Sequence, residues 1–457
     1  MKVLVNRHSI FLIVVFSPLM SLAQHWNSLQ KGLNNAVNVL YTDSSTELLF
    51  VGGRFSYVDS MKIRGIAVWD GEQWDSLGGG IDNHYQSYPQ NVFTICRYHN
   101  KLYVGGGFTK AGDIFTKYVA TWDGQKWDSI SMRFNGSVNH IMVYEDTLYM
   151  CGSFDSVGSL NSNSIIRYDG VNWTSIDFPN VGPVYSMQFY QDDLYVVGVF
   201  DDSSGNLHRI SKWDHHNWSN IGEGILGSLA DPSCFALYDD KLVVGGIFKK
   251  SDGNAGNNLQ HWDGTNWLDL GGGTGGQNGR VWDMFSVGNY LWTGGTFSSA
   301  GNIPADKIAR WDGNQWCGLG SIFNNSITSV TFYDDTLYIG GGFWIIDEDT
   351  LNYIAKWMGG DFVDTCSIVS GILQSIPNNI NYAVHPNPAS DYLYISFEFP
   401  QSTKIFVTIT NLTGQKFVAE TITAATPVID ISTLSSCIYF ISIQTENGSV
   451  MQKFIKQ

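Results

Sequence analysis

Chemistry needs convergent groups, and this sequence offers few sets whose spacing could supply them. No G-x-S-x-G elbow, H-E-x-x-H helix pair or cysteine pair at zinc spacing occurs. His215-His216 puts two imidazoles side by side, but neighbours in a tight turn rarely converge on one ion, so no metal is expected there. Asp252 and Asn254, in Ser251-Asp252-Gly253-Asn254, are oxygen donors of the kind calcium takes, yet the twelve-residue loop with its terminal Glu is missing. Gly271-x-Gly273-x-x-Gly276 has the spacing of a dinucleotide loop, but it joins strand to strand with no following helix and reads as a connection. No cofactor or metal is expected. What remains is a set of aromatic, polar and acidic side chains suited to ligand binding: Tyr57, His84, Tyr85, Tyr88, Asp202, His208, Asp252 and Trp344. All lie in loops.

The elements that must position these loops repeat along the chain. Trp69-Asp70-Gly71…Trp74 recurs as Trp122-Asp123-Gly124…Trp127, Tyr168-Asp169-Gly170…Trp173, Trp213-Asp214…Trp218, Trp262-Asp263-Gly264…Trp267 and Trp311-Asp312-Gly313…Trp316, with a worn copy at Trp357-Met358-Gly359…Phe362. Successive copies are 45 to 53 residues apart, the period of propeller blades. A second marker keeps phase upstream: a Gly-containing triplet, such as Val51-Gly52-Gly53, followed two residues later by Phe55, Phe108, Phe154, Phe200, Phe248, Phe297 or Phe343. Each repeat reads as four short strands. In the second they are Val92 to Tyr98, Lys101 to Phe108, Tyr118 to Trp122 and Lys126 to Ile130.

Asp-Gly between two tryptophans supplies the angles of a tight hairpin turn, with Gly at positive φ. The flanking tryptophans then face each other across the hairpin or pack on the next blade, and the Gly-Gly pairs let sheets approach near the axis. A carbohydrate platform is the less natural reading of the tryptophans, because a ring of blades needs equivalent copies and a ligand seldom does. The leftover His25-Trp26-Asn27-Ser28-Leu29 matches the fourth strand Gln73 to Leu77, so the N-terminal strand is expected to close the ring onto the last blade.

In such a ring the loops joining strands two and three, and strand four to the next blade, share one face. Here they are the long ones: Tyr57 to Arg64, Gly79 to Gln90, Asp201 to Arg209, Lys249 to Asn258 and Trp344 to Asn352. The other face has only tight turns, so binding is expected on the long-loop face.

The pattern resembles kelch-type propellers over residues 26 to about 365: a di-glycine ending strand two, then an aromatic-Asp pair, then Trp, as in Tyr168-Asp169-Gly170-Val171-Asn172-Trp173. It uses Trp more often than Tyr before the Asp, which makes it kelch-like. Galactose oxidase shares this general fold, but the tyrosine and histidine copper ligands it needs on axis-facing loops have no matching set here.

The ends carry addresses. Lys2 and Arg7, an apolar run from Ile10 to Met20 and then Ser21-Leu22-Ala23 read as a signal peptide over residues 1–23. That run is too short to span a bilayer, and no later segment is long and apolar enough. Cleavage would take the formal charge from −16 to −18, because two cations and no acids leave. So acidic a chain should repel nucleic acid and anionic membranes. The six cysteines show no close spacing: Cys96, Cys151 and Cys234 lie in apolar strands and read as buried thiols, with a disulfide near Cys366 as the open alternative.

After a propeller over 24–366 and a linker over 367–383, residues 384–457 alternate Val, Ile, Phe and Tyr between Pro and Gly punctuation, as a β-sandwich does. This stretch closely resembles the type A C-terminal sorting domain of the type IX secretion system, through Pro386-Asn387-Pro388-Ala389-Ser390-Asp391, Leu412-Thr413-Gly414-Gln415 and Lys453-Phe454-Ile455-Lys456. Cys437 stands where that family usually has Gly. The resemblance implies export across the outer membrane by the type IX machinery, removal of the domain, and release or attachment to surface lipopolysaccharide. The expected fold is all-β: a seven-bladed β-propeller plus a C-terminal Ig-like β-sandwich, the expected function being non-enzymatic binding of a glycan or protein by a monomer. The rival reading is a secreted hydrolase, lyase or oxidase using loop acids such as Asp201 and Asp202.

Overall fold

The computed structural model describes residues 26–83, 90–179, 181–200, 209–276, 279–358, 382–397, 404–411, 416–423, 428–434, 437–445 and 448–456. Among them, residues up to 358 form seven four-stranded antiparallel sheets, each following chain order from its first to its fourth strand except the last. The first strands are Val37–Asp43, Asn91–Tyr98, Val138–Tyr144, Val184–Tyr190, Asp231–Tyr238, Val281–Val287 and Ile327–Tyr333, and we number blades 1 to 7 by them. Each first strand packs against the next, and the seventh against the first, so they form the inner wall of a closed ring. The chain is a β-propeller. In blade 2 the remaining strands are Lys101–Gly107, Val119–Trp122 and Trp127–Asp128, within two residues of the ends expected from sequence.

Blade 7 takes its fourth strand from the other end of the chain. Trp26–Ser28 pairs with Ile354–Trp357, placing Trp26 opposite Trp357 with ring centres 5.0 Å apart. The expected closure by the N-terminal strand is therefore present. The Leu40 amide donates to Ser329 Oγ at 3.0 Å across the same seam.

The repeated string does what its residue types allow. Trp69 and Trp74, Trp122 and Trp127, Trp262 and Trp267, and Trp311 and Trp316 are direct cross-strand partners, their ring centres 5.0 to 5.3 Å apart. The second Trp also reaches the preceding blade: Trp74, Trp127, Trp267 and Trp316 donate Nε1–H to the carbonyls of Leu29, Leu77, Ile221 and Leu270. Each turn aspartate accepts two backbone N–H groups, as Asp123 does from Gln125 and Lys126. Gly71, Gly124, Gly170, Gly264 and Gly313 sit at φ between 93° and 103°. The phenylalanines of the second marker are 0 to 2 % exposed in all seven blades. Fully burying one such side chain is worth about 1.5–3 kcal/mol.

The two glycines of each pair have separate tasks. A Cβ on Gly52 would come within 2.6 Å of Val92 in the next blade, whereas one on Gly53 would meet the Ala36 carbonyl of its own blade at 2.3 Å, where the first strand bulges. The second glycine also donates to the residue that opens strand three, and that residue adopts positive φ in every blade: Gly65, Tyr118, Ser164, Arg209, Asn258, Lys307 and Tyr353, at 59° to 72°. A left-handed conformation costs a non-glycine residue about 1–2 kcal/mol. Here backbone hydrogen bonds on both sides of it hold the turn.

The tail is a separate two-sheet sandwich. One sheet orders Tyr382–His385, Tyr392–Phe397 and Val428–Asp430; the other orders Lys416–Thr423, Lys404–Asn411, Cys437–Thr445 and Gly448–Lys456. Phe454, on the last and edge strand, is fully buried and stacks with Tyr439 at 5.8 Å. Cys437 opens a strand.

Of the cysteines, Cys96, Cys151 and Cys234 are buried free thiols, as expected. Burial raises the Cys96 thiol to about 12. Cys317 is disulfide-bonded, and Cys366, near which the alternative disulfide is expected, lies outside the described residues.

Candidate functional site

The tight-turn face is occupied by structural bonds. The tyrosines ending strand one in blades 2, 4, 5 and 7 donate their hydroxyls to turn carbonyls of the next blade: Tyr98 to Asp146, Tyr190 to Asp240, Tyr238 to Asn289 and Tyr333 to Glu47. The turns on this face place two non-glycine residues at positive φ in blades 3, 4, 5 and 7, for example Gln191 and Asp192. Little on this face is left for a ligand.

The long-loop face is more ordered than irregular loops would be. The connection between strands two and three folds into its own hairpin in blades 2, 3, 6 and 7, and a Val58–Met61 bridge makes the same turn in blade 1. The segment arriving from the preceding blade pairs with that hairpin: Ile81–Asp82 on Lys110–Ala111, Thr274–Gly275 on Ser299–Ala300, and Leu33, Phe134 and Phe323 through single bridges to Val58, Val157 and Ile346. Asparagine side chains complete the clasp, since Asn34, Asn135 and Asn324 each accept two amides of the hairpin through Oδ1.

At the seam between blades 7 and 1 this architecture leaves a cleft of about 550 Å³, lined by Lys31, Gly32, Leu33, Asn34, Asp59, Trp344, Asn352 and Tyr353. Its floor is fixed by backbone. The Asp59 carboxylate accepts the Lys31 amide at 2.7 Å, Asn352 donates Nδ2–H to the Lys31 carbonyl at 2.7 Å, and Leu33 N–H donates to the Asn352 carbonyl at 3.1 Å. Gly32 is required at φ +74°, where an added Cβ would lie 2.7 Å from the Asn352 Cβ. Trp344 is 44 % exposed on this cleft, and Tyr57, also 44 % exposed, stands beside it with its amide and carbonyl both bonded to Asn34.

Of the side chains expected from sequence, Trp344 is at the cleft, and Tyr57 is tied to its edge only through backbone bonds with Asn34. Asp252 lies elsewhere: it ends a 3-10 turn, Lys250–Asp252, in blade 5, with blade 6 between it and the seam. Its neighbour Asn254 is 6 % exposed and spends Oδ1 on the Leu226 amide and Nδ2 on the Leu226 and Lys249 carbonyls, which makes it a clasp rather than a cation ligand. His84, Tyr85, Tyr88, Asp201, Asp202 and His208 lie outside the described residues. His215 and His216 diverge, the first at φ +72° bonding the Asp192 carbonyl at 2.7 Å beside the Trp213 ring. Among the described residues no three His, Cys, Asp or Glu side chains gather as a metal site would need.

Sequence reasoning missed Lys31, Asn34, Asp59, Asn352 and Tyr353. The signal was present in the match of residues 25–29 to a fourth strand, because it makes residues 31–34 the connection into blade 1 and sets them beside the blade 7 hairpin.

Comparison with known proteins agrees with both halves of the chain. Residues 383–457 match the family model of a secretion system C-terminal sorting domain, and residues 86–231 match that of the Rax2 C-terminal beta propeller domain. A search of curated proteins returned no match. Among solved structures, the extracellular domain of a putative hybrid two component system from B. thetaiotaomicron is similar at 12 % identity and a TM-score of 0.46, over 95 % of this chain and 59 % of that one. The extracellular domain of a putative one component system from the same organism is similar at 11 % identity and a TM-score of 0.32, over 93 % and 68 %. This chain therefore spans about 59 % of the first of these structures. Among the described residues no helix is long and apolar enough to cross a membrane.

Proposed function

Taking as premise a secreted or surface-displayed β-propeller that carries a type IX sorting tail, we propose that the protein is a non-enzymatic binding or adhesion module whose ligand is a glycan held in the seam cleft. The propeller is kelch-like and seven-bladed, and its tail is a type A sorting domain. A signal peptide over residues 1–23 brings the chain to the periplasm, and the tail then engages the secretion machinery. The mature propeller acts as a monomer.

The observation that supports the binding reading is exposed Trp344 standing with amide and carboxylate groups around one cleft. Aromatic faces suit the apolar face of a sugar ring, and Asn34, Asp59 and Asn352 supply hydrogen-bonding partners for hydroxyls. One carboxylate lines the cleft, whereas acid–base cleavage of a glycosidic bond commonly uses two. The test is a glycan array probed with the mature protein and with Trp344→Ala. Losing an aromatic anchor should weaken binding of the hits by about tenfold or more, roughly 1.4–2 kcal/mol, with the melting temperature unchanged. Equal binding by both proteins, or hydrolysis of an array sugar, would overturn the reading.

A further inference from the structure

A cluster of charged and aromatic side chains lies at the axis end of the long-loop face, in blades 4 to 6. The position at the bulge of each first strand is occupied in turn by Asn38, Phe93, Asn139, Tyr185, Ser233, Trp282 and Thr328. The four polar members stitch the ring together by donating to the next first strand: Asn38 to Val92, Asn139 to Val184, Ser233 to Val281 and Thr328 to Val37. Phe93 and Trp282 have no hydrogen-bonding group that can reach a carbonyl in this way, and Trp282 is left 37 % exposed.

Around Trp282 the chain concentrates charge that the fold does not need. The Arg280 guanidinium lies 3.7 Å from the Trp282 ring centre and bonds Asp231 Oδ2 at 2.6 Å. Arg209, only 4 % exposed, donates from its guanidinium to the Ser228 carbonyl at 3.2 Å. Arg209 Nε, Arg280 Nε and Asp231 Oδ1 are buried without a partner. Leaving such groups unsatisfied costs about 1–3 kcal/mol each. The Tyr185 phenol completes the group: desolvation raises its pKa, Asp231 raises it further, and Arg280 and Arg209 lower it, so all three charges act on one spot. Among the described residues, two guanidinium groups and one carboxylate act on that phenol, in a chain of formal charge −16.

We propose that this locus binds a saccharide bearing a single acidic group, the anion lying against Arg280 in the field of Arg209 and the sugar ring on the open face of Trp282. A charge-assisted bond from an Arg guanidinium to an incoming anionic oxygen is roughly twice as strong as a neutral one. The overall acidity argues for one acidic group rather than a polyanion, which the rest of the surface would repel. This site shares no residue with the seam cleft.

The test uses the mature protein with a glucuronate-terminated tetrasaccharide, its carboxyl-reduced neutral counterpart, a singly sulfated tetrasaccharide and an acidic tetrapeptide. Titration calorimetry is run at about 0.15 M salt, where long-range repulsion is screened. The uronate or the sulfated sugar should bind, with the acid group accounting for at least tenfold over the neutral sugar. Arg280→Gln and Trp282→Ala, each checked by melting, should both abolish that gain, while Trp344→Ala at the seam leaves it intact. Equal binding of the neutral sugar, tighter binding of the peptide, or full affinity in Arg280→Gln and Trp282→Ala would overturn the proposal. A loss caused by Trp344→Ala alone would instead assign the ligand to the seam.

Discussion

The sharpest physical claim concerns the hairpin glycine of blade 2. Gly124 sits at φ +99°, and a Cβ built on it would meet nothing within 4 Å. Gly124→Val therefore introduces no clash, and its whole effect is backbone strain. A residue held in a sparsely populated region costs on the order of 1–3 kcal/mol, and a β-branched side chain belongs at the upper end. Stiffening the unfolded chain offsets about 0.4–1 kcal/mol of this. The net destabilisation should be roughly 2 kcal/mol. At about 2.1 cal/mol/K of unfolding entropy per residue, a propeller of about 330 residues should lose about 3 °C in Tm. Gly124→Asn is the control, since Asn tolerates positive φ and should lose less than half as much. His215 occupies the same position of blade 4 at φ +72°, so a side chain is not forbidden there. Scanning calorimetry of the three proteins decides the matter: a Val variant that melts with the wild type would refute the strain argument, and an Asn variant as damaged as Val would point to a contact instead of an angle.

Other consequences follow from the same geometry. Desolvation between blades raises Asp283 to about 6, although the Val330 amide and the Ser329 hydroxyl both donate to it. Because this folded pKa lies above the unfolded one of about 3.9, its contribution is fully present below pH ~4 and is lost as pH rises towards 6. Asp283→Asn should flatten the stability profile across that window, as read by Tm at stepped pH; an unchanged slope would count against it. The turn aspartates have the opposite sign. Backbone hydrogen bonds from Lys126 and Gln125 lower the pKa of Asp123, so its stabilisation exists above pH ~4 and disappears on acidification, and Asp123→Asn should reduce the steepness of acid unfolding. In the tail, Phe454→Ala should cost about 3–5 kcal/mol of sandwich stability. Deleting Lys453 to Gln457 removes the same anchor and leaves Cys437 to Phe440 without their edge partners, so the truncated chain should stay in the periplasm of its host; surface display of it would contradict the export reading. Finally, non-reducing peptide mapping should recover Cys96, Cys151 and Cys234 as free thiols and Cys317 in a disulfide.

Much of the fold was legible because its cause is local and repeated. Trp-Asp-Gly-x-x-Trp fixes a hairpin within six residues, and the copies set the blade count by themselves. Ring closure was legible too, since Trp26-Asn27-Ser28 is a fourth strand without the other three. The left-handed residue that opens strand three was not legible. Tyr118, Ser164, Lys307 and Tyr353 share no side-chain property, because what holds them is the backbone bonding of the di-glycine segment and, in all but blade 4, of the buried phenylalanine carbonyl. The order within the long loops was hidden for a similar reason: the clasp that Asn34, Asn135 and Asn324 provide depends on which segments meet, and a polar loop residue looks alike with or without that partner. For the candidate cleft, type and loop length pointed to Trp344. The cleft around it needed the seam, and the Arg209, Asp231, Arg280 and Trp282 group needed the radial stacking of three blades.

The account rests on the long-loop face as the place where a ligand is held, and hydrogen–deuterium exchange of the mature protein with and without a saturating array hit measures that directly. Protection should appear in peptides covering residues 31–34, 56–59 and 344–353, with the hairpin turns of the opposite face unchanged. Protection confined to those opposite turns, such as Glu145-Asp146 or Gln191-Asp192, would contradict it.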